Sequence, residues 1–153
     1  MLKSKRKILG IDPGYGRLGY AVLENDKLLD AGCFETAKNM EHEERLSFMA
    51  DGFKKLLLKH KPEVLAIEKL FLTSNHKTAI RVAEARGAVL SAASGLEIRE
   101  FSPPEVKLAV CGYGRADKQQ VGRMVKMIFK TADGLNDDAL DAIAIAFTAA
   151  GRI

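Results

Sequence analysis

The alternation of apolar and polar residues predicts three consecutive strands near the start of the chain. Short apolar stretches cover residues 7–12, 18–24 and 28–36. The sequence Asp12-Pro13-Gly14 closes the first stretch with a turn, and Asn25-Asp26-Lys27 forms a turn between the second and the third. Because the connections are short, we expect the three strands to form an antiparallel meander.

Helical spacing follows the third strand. Leu46, Met49 and Phe53 recur every three or four positions and predict a helix over residues 43–60, which Pro62 ends. Later helices are marked by capping boxes, in which Ser102 pairs with Glu105 and Asp117 with Gln120. The remaining predicted elements are strands over residues 64–67 and 96–101, and helices over residues 76–94, 103–110, 118–129 and, capped by Asn136 or Asp137, to about residue 150.

The order of these elements indicates a layered α/β or mixed α+β fold. The fourth and fifth strands flank a helix, so we expect them to be parallel and joined by a right-handed crossover. The sequence thus predicts a five-stranded mixed sheet flanked by helices, in which the first three strands are antiparallel and the later ones parallel.

Length and composition suit one ordinary globular domain. The chain has 153 residues, of which 47% are hydrophobic and 29% are charged. We therefore expect a single domain over residues 1–153, with residues 1–6 as a basic, flexible N-terminus. No apolar run approaches the ~18 residues of a membrane span, and no signal-peptide core follows the basic start. Cys33 and Cys111 lack metal-ligand spacing, which favours reduced thiols in a cytoplasmic protein without a membrane partner.

Charge is unevenly distributed along the chain. Residues 99–130 carry seven basic and three acidic side chains, whereas residues 131–153 carry one basic and four acidic ones. A basic segment beside an acidic one suits a surface that binds a polyanion next to a carboxylate site. Two solvated helix faces would give the same pattern, so charge alone does not decide between these interpretations.

Four carboxylates occupy positions that favour chemistry. Asp12 and Glu68 each close an apolar strand, and parallel neighbouring strands would bring both to the same end of the sheet. Asp138 and Asp141 are three residues apart and share one helix face, and Asp141 lies a turn inside the helix, where capping does not explain it. Asp137 is a candidate cap.

A cluster of oxygen ligands without histidine or cysteine favours Mg²⁺ or Mn²⁺ over zinc. Two such ions about 3.5–4 Å apart can activate a water and stabilise the leaving oxygen of a phosphodiester. On this hypothesis Asp12 is shared by both ions, Glu68 holds one, and Asp141 with Asp138 holds the other. Taken alone, Asp12 is explained as a turn former, Glu68 as a strand end and Asp137 as a cap, and only the combination favours a site.

Six sequence blocks, in order over residues 7–147, resemble the RuvC family of bacterial Holliday-junction resolvases. They are Gly10-Ile-Asp-Pro-Gly14 with Gly19-Tyr20, Ala66-Ile-Glu-Lys-Leu-Phe71, Val82-Ala-Glu-Ala-Arg-Gly-Ala-Val-Leu90, Ser102-Pro-Pro-Glu-Val-Lys107, Gly114-Arg-Ala-Asp-Lys118 and Asp138-Ala-Leu-Asp-Ala142. The resemblance implies an RNase H-like fold with the first strand central and next to the fourth. Lys69 departs from the family pattern, in which glutamine is commoner after the catalytic glutamate.

The resemblance also implies an activity and its residues. Asp12, Glu68, Asp138 and Asp141 fall on the four catalytic acidic positions. Lys107 and Lys118 fall on positions that contact DNA near the scissile phosphate, and Phe71 falls on an aromatic position that stacks on a base at the junction. The implied protein is a homodimer that nicks a four-way DNA junction symmetrically, leaves 5′-phosphate and 3′-hydroxyl ends, and works with the RuvA–RuvB branch-migration machinery.

The residues themselves add to this assignment. Arg115 lies in the basic segment beside Lys118, where phosphate contacts would supply DNA affinity. The three histidines show no ligand spacing and are expected at the surface: His42, His60 and His76. Three methionines at helical spacing are expected to fill the core or an interface: Met49, Met124 and Met127.

Three alternative functions share part of this sequence pattern. A YqgF-type RNase H-like nuclease acting on RNA shares the acidic pattern, and cleavage of junction, duplex and RNA substrates would separate the two. A non-catalytic junction-binding module would bind without metal and never cut. An actin-like or sugar-kinase ATPase needs two such domains, which 153 residues cannot supply.

Overall fold

A computed structural model describes residues 6–70 and 74–151 of the chain. The strands are β1 (Lys7–Pro13), β2 (Arg17–Glu24), β3 (Lys27–Glu35), β4 (Val64–Glu68) and β5 (Glu97–Phe101). The helices are α1 (His42–His60), α2 (His76–Ala92), α3 (Pro103–Cys111), α4 (Lys118–Ile128) and α5 (Asp137–Ala150), with a short 3₁₀ helix at Lys130–Ala132. The predicted flexible segment, residues 1–6, lies outside the described residues except for Arg6.

The five strands form one mixed sheet in the order β3-β2-β1-β4-β5. β1 pairs antiparallel with β2, and β2 pairs antiparallel with β3. β1 pairs parallel with β4, which pairs parallel with β5. The predicted meander, the central position of β1 and the parallel fourth and fifth strands are confirmed.

Two hydrophobic cores lie on opposite faces of the sheet, because side chains alternate along each strand. One face carries Leu9 and Ile11 of β1 and packs against α1 and α2. The other carries Ile8 of β1 and Ala66 of β4 and packs against α3, α4 and α5. The predicted apolar face of α1 is confirmed, with Met49, Phe53 and Leu56 buried and Leu46 and Leu57 packed against them.

Helix α5 lies unusually close to the sheet because glycines face it. A Cβ on Gly10 of β1 would overlap the carbonyl oxygen of Ala142, and a Cβ on Gly19 of β2 would overlap that of Asp138. The helix is rich in alanine on this side, and Ala142 and Ala146 are fully buried. Small residues on both surfaces therefore bring the first two turns of α5 over the ends of β1 and β2.

Helix starts agree with the predicted caps. Ser102 and Glu105 form a capping box at α3, as do Asp117 and Gln120 at α4. Asn136 is the cap of α5, where its side chain accepts a hydrogen bond from the backbone N–H of Ala139 at 2.9 Å. Of the two predicted candidates, Asn136 is therefore the cap.

Some surface expectations were wrong. His60 is mostly buried, with its Nε2 2.8 Å from Asp30 Oδ2, and His42 is half-buried with its Nε2 3.1 Å from Glu84 Oε2. Carboxylate partners on other elements hold both rings against the protein, whereas His76 is exposed as expected. Met127 is 73% exposed on α4 and so does not fill the core, and its alternative place in an interface stays a prediction. Among the described residues no helix has the length and apolarity to span a membrane.

Candidate active site

The carboxyl ends of two neighbouring parallel strands place the first two acids. The last paired positions of β1 and β4 are Ile11 and Ile67, and Asp12 and Glu68 each come one residue later. Both side chains lie on the face that packs against α5, since Gly10 and Ala66, two positions earlier, face that helix. The predicted pairing of Asp12 and Glu68 at one end of the sheet is therefore present.

The first two turns of α5 bring the other acids to this end. Asp138 lies in the first turn, over Gly19 of β2, and Asp141 lies in the second turn, next to Ala142, which meets Gly10 of β1. Both carboxylates keep partial exposure, 24% for Asp138 and 32% for Asp141. Asp137 is exposed and lies in the first turn, beside the Asn136 cap.

The four acids influence one another electrostatically. Burial raises the pKa of Asp12 to about 8, with further contributions from Asp141, Glu68 and Asp138. Burial also raises the pKa of Glu68, reinforced by the charge of Asp141. Carboxylates that repel one another in a poorly solvated cleft hold protons that they would release in water. The site is thus short of positive charge.

Basic residues line one side of the cleft. Glu68 and Asp141 share it with Lys107 of α3 and Lys118 of α4. The Nζ of Lys118 lies 3.3 Å from Asp141 Oδ2, and this carboxylate raises the pKa of Lys118. In turn Lys118 offsets part of the burial effect that raises the pKa of Asp141. Arg115 is exposed in the loop between α3 and α4.

A second cleft adjoins the first on the other side of Glu68. Asp12 lies in it together with Lys69, Leu70 and Arg86. Phe71, the predicted stacking residue, lies outside the described residues. Lys69 is exposed at this edge, so its charge adds to the basic rim.

Two arginines that contact the site were missed from the sequence. Arg17 Nη1 lies 3.4 Å from Asp138 Oδ2, and Arg17 Nη2 lies 3.2 Å from Glu35 Oε1. The Sγ of Cys33 lies 3.9 Å from the same oxygen of Asp138. Arg17 gave no signal in the sequence, because its partner is 121 positions away.

Arg86 of α2 supports the end of β4. Its Nε donates to the backbone carbonyl of Glu68 at 3.3 Å, and its Nη2 lies 2.6 Å from Glu100 Oε2. The guanidinium therefore fixes the backbone of Glu68 against β5. Arg86 belongs to the family-like block that begins at Val82, but the sequence did not indicate its contact with the backbone of Glu68.

The donor set of the site fits hard divalent cations. The four acids offer only carboxylate oxygens, the ligands that Mg²⁺ and Mn²⁺ prefer. Within residues 6–70 and 74–151, no three His, Cys, Asp or Glu side chains converge on one point as the ligands of a bound cation do. Asp138 and Asp141 are instead paired with Arg17 and Lys118. Divalent charge would offset the burial and the repulsion that raise the pKa of Asp12.

Comparisons with known proteins agree with this geometry. Residues 8–149 match the family model described as crossover junction endodeoxyribonuclease RuvC. The chain is 46% identical to a crossover junction endodeoxyribonuclease RuvC of Thermosipho melanesiensis, over 92% of this chain and 94% of the relative. It is 43% identical to the protein of the same description from Brachyspira hyodysenteriae, over 94% of this chain and 93% of the relative.

A solved structure supports the same assignment. The chain superposes on T. thermophilus RuvC, solved in complex with a Holliday junction substrate, with a TM-score of 0.84 and 32% sequence identity. The superposition covers 94% of this chain and 92% of that one. The family-model match over residues 8–149, the relatives of 43% and 46% identity and the shared fold show that the chain belongs to the RuvC family of crossover junction endodeoxyribonucleases.

Proposed function

We propose that the protein cuts four-way DNA junctions by paired symmetric nicks, through metal-dependent hydrolysis that leaves 5′-phosphate and 3′-hydroxyl ends. The observation that carries this proposal is the meeting of Asp12, Glu68, Asp138 and Asp141 at one end of the sheet, beside Lys107 and Lys118. The relative from T. thermophilus was solved with a Holliday junction, and similarity to it supports the same substrate class here.

The four acids would hold two Mg²⁺ ions, or Mn²⁺ in their place. Asp12 is the acid whose pKa is raised by the charges of all three others as well as by burial, and it would be shared between the two ions. Glu68 would serve one ion, and Asp141 with Asp138 the other. When bound, such ions supply charge neutralisation at the phosphodiester and activation of water.

The hydrolysis joins a water oxygen to phosphorus and breaks the bond from phosphorus to the 3′ oxygen. The attacking water loses one proton and the departing 3′ oxygen gains one, so the reaction is balanced. Lys107 and Lys118 line the cleft beside the acids, where they would stabilise the negative charge of a bound phosphate group. Arg115 extends this basic surface for neighbouring phosphates. Phe71 is proposed as a stacking side chain for an unpaired base.

A homodimer suits this substrate. A junction has two equivalent strands to cut, and a two-fold dimer brings one site to each. We propose that all 153 residues serve as one nuclease domain in each protomer, in the cytoplasm, where the free thiols of Cys33 and Cys111 stay reduced. Co-operation with a RuvA–RuvB branch-migration complex is part of this proposal and rests on the family resemblance.

The test is cleavage of an end-labelled mobile junction by wild-type protein, Asp12→Asn and Asp141→Asn. With Mg²⁺ the wild type should release two nicked duplex products, and EDTA should abolish them. Each variant should lose at least about 100-fold in rate, the scale of losing an electrostatic contact made in the transition state. Asp26→Asn, which changes an exposed turn carboxylate, is the control and should cut at the wild-type rate.

Substrate choice separates the alternatives. Linear duplex and structured RNA, assayed beside the junction, should remain intact. Preferred cleavage of RNA would instead favour a YqgF-type activity, and binding without any cleavage would favour a junction-binding module. Wild-type rates from a folded Asp12→Asn or Asp141→Asn protein would refute the assignment of the acids.

A further inference from the structure

Two of the four acids already have a cationic partner. Lys118 pairs with Asp141, and Arg17 pairs with Asp138. The first pair joins residues that the family resemblance had singled out. The resemblance assigned no role to Arg17. Among the described residues, its guanidinium is the one positively charged group within 4 Å of the Asp138 carboxylate.

The position of Arg17 follows from the sheet. It begins β2, where its register partner on β3 is Glu35. Two residues later, Gly19 lets the first turn of α5 lie directly on β2, so Asp138 reaches the start of that strand. Arg17 therefore lies between two carboxylates, 3.2 Å from Glu35 Oε1 and 3.4 Å from Asp138 Oδ2.

The two ion pairs of Arg17 are weak. Arg17 is 55% exposed and Glu35 is 63% exposed, so water and salt screen both contacts. Neither distance is short for a charge-assisted hydrogen bond. Because Glu35 is a ready second partner, the guanidinium can leave Asp138 without losing its counter-charge.

We propose that Arg17 is a positioning residue that holds the Asp138 carboxylate in the cation-free protein and yields it when a divalent cation binds. The inference rests on the proposed role of Asp138 as a cation ligand. Arg17 and the cation compete for one carboxylate, so removing the guanidinium strengthens cation binding. Once released, Arg17 faces solvent at the rim of the site, where a phosphate of the substrate strand is its natural partner. Cation and DNA binding are therefore coupled, and the coupling is reciprocal.

The test is Mn²⁺ titration of the DNA-free protein by calorimetry. Arg17→Gln should bind Mn²⁺ about two- to fivefold more tightly than wild type, the scale of an exposed ion pair. Arg17→Lys, which keeps the charge, should stay near wild type. Glu35→Gln should weaken Mn²⁺ binding, since Arg17 then pairs with Asp138 alone. Lys54→Gln removes an exposed charge from α1, on the opposite face of the sheet, and should change nothing.

A double-mutant cycle with Asp138→Asn assigns the effect to the right pair. The gain from Arg17→Gln should vanish in the Asp138→Asn background. An equal gain in both backgrounds, or no gain in the wild-type background, would overturn the role of Arg17. A wild-type Mn²⁺ affinity in the single Asp138→Asn variant would instead refute the role of Asp138 in the proposed function.

Junction binding supplies a second readout. In Ca²⁺, wild-type protein should bind the junction more tightly than in EDTA, and Arg17→Gln should lose part of that enhancement. A side chain that merely supports the fold would lower stability but leave the ratio of the two affinities unchanged. An unchanged ratio in Arg17→Gln therefore counts against the proposed coupling.

Discussion

The environment of Asp12 disfavours its charged form. Its carboxylate is held among three other acids, and burial and repulsion raise its pKa to about 8 from an ordinary value of 3.8. The folded protein therefore binds a proton that the unfolded chain has already released. Between these two values folding must take up a proton, and above about pH 8 the folded state carries an unfavourable buried charge. Asp12 therefore opposes folding increasingly as the pH rises, unless a cation compensates it.

This gives a prediction for metal-free protein. In EDTA, the melting temperature of Asp12→Asn should exceed that of wild type by a margin that grows from about pH 5 to pH 8 and then levels. Each kcal/mol corresponds to roughly 2–4 °C for a chain of this size. Thermal melts monitored by circular dichroism across this range measure the margin. Asp26→Asn, at an exposed turn, should show no such trend, and a margin independent of pH would contradict the burial of charge at Asp12.

The basic side chains around the acids make a prediction about salt. Each phosphate neutralised by lysine or arginine contributes about 0.9 to the slope of log affinity against log salt. Lys118→Gln and Arg115→Gln should each reduce the slope for junction binding by about this amount, measured by fluorescence anisotropy in EDTA. Lys54→Gln should leave the slope unchanged. Equal slopes in all four proteins would remove both residues from the DNA-binding surface.

At the scale of elements, the site depends on how closely α5 approaches the sheet. Gly10 and Gly19 have no side chain where the backbone of α5 lies, and a methyl group at either position would overlap a carbonyl oxygen. The acids of α5 reach Asp12 only because this distance is short. Packing between a helix and a sheet thus sets the geometry of the carboxylates.

Alanine substitutions test this packing. Gly10→Ala should lower the free energy of unfolding by about 1–3 kcal/mol or more, since the helix must shift to admit the methyl group. Gly87→Ala is the matched control, because a Cβ there meets nothing within 4 Å in the middle of α2. It should stabilise the protein by roughly 0.5–1 kcal/mol through helix propensity. Urea denaturation measures both, and a stable Gly10→Ala protein would show that α5 has room to move.

The elements were largely predictable because their signals are local. The capping boxes at Ser102 and Asp117 mark the starts of α3 and α4 within three residues, and the apolar spacing of α1 is visible in the same way. The parallel pairing of β4 with β5 also followed, since a helix links these two strands, whereas the place of β1 beside β4 came from the family resemblance. Such signals depend on neighbours along the chain, and they fix which residues end each strand.

The contacts between elements were not predictable by the same means. The partners of Arg17 and Arg86 come from different elements, and His60 meets Asp30, 30 positions away, although its sequence context suggested a surface residue. Each of these contacts depends on the relative placement of packed elements, which no local pattern encodes. The four acids could be predicted as a set, but the arginines that support two of them could not.

At the scale of the whole molecule, one chain carries all four of the proposed catalytic acids. Asp12, Glu68, Asp138 and Asp141 come from β1, β4 and α5 of the same chain, and the charge of Asp141 helps to raise the pKa of both Asp12 and Glu68. In the proposed homodimer each site is therefore self-sufficient. Inactivating one protomer should leave the chemistry of the other intact.

Mixed dimers test this independence. A heterodimer of wild type and Asp12→Asn, purified through two different affinity tags, should cut only one strand of a junction extruded from a supercoiled plasmid. Because one site remains complete, the product should be a nicked circle, whereas the wild-type dimer gives a linear molecule through two nicks and the Asp12→Asn dimer leaves the plasmid supercoiled. Agarose gels separate the three forms, and a heterodimer with Asp26→Asn should behave as wild type. A linear product from the Asp12→Asn heterodimer would mean that one site cuts both strands, and an inactive heterodimer would mean that the sites depend on each other.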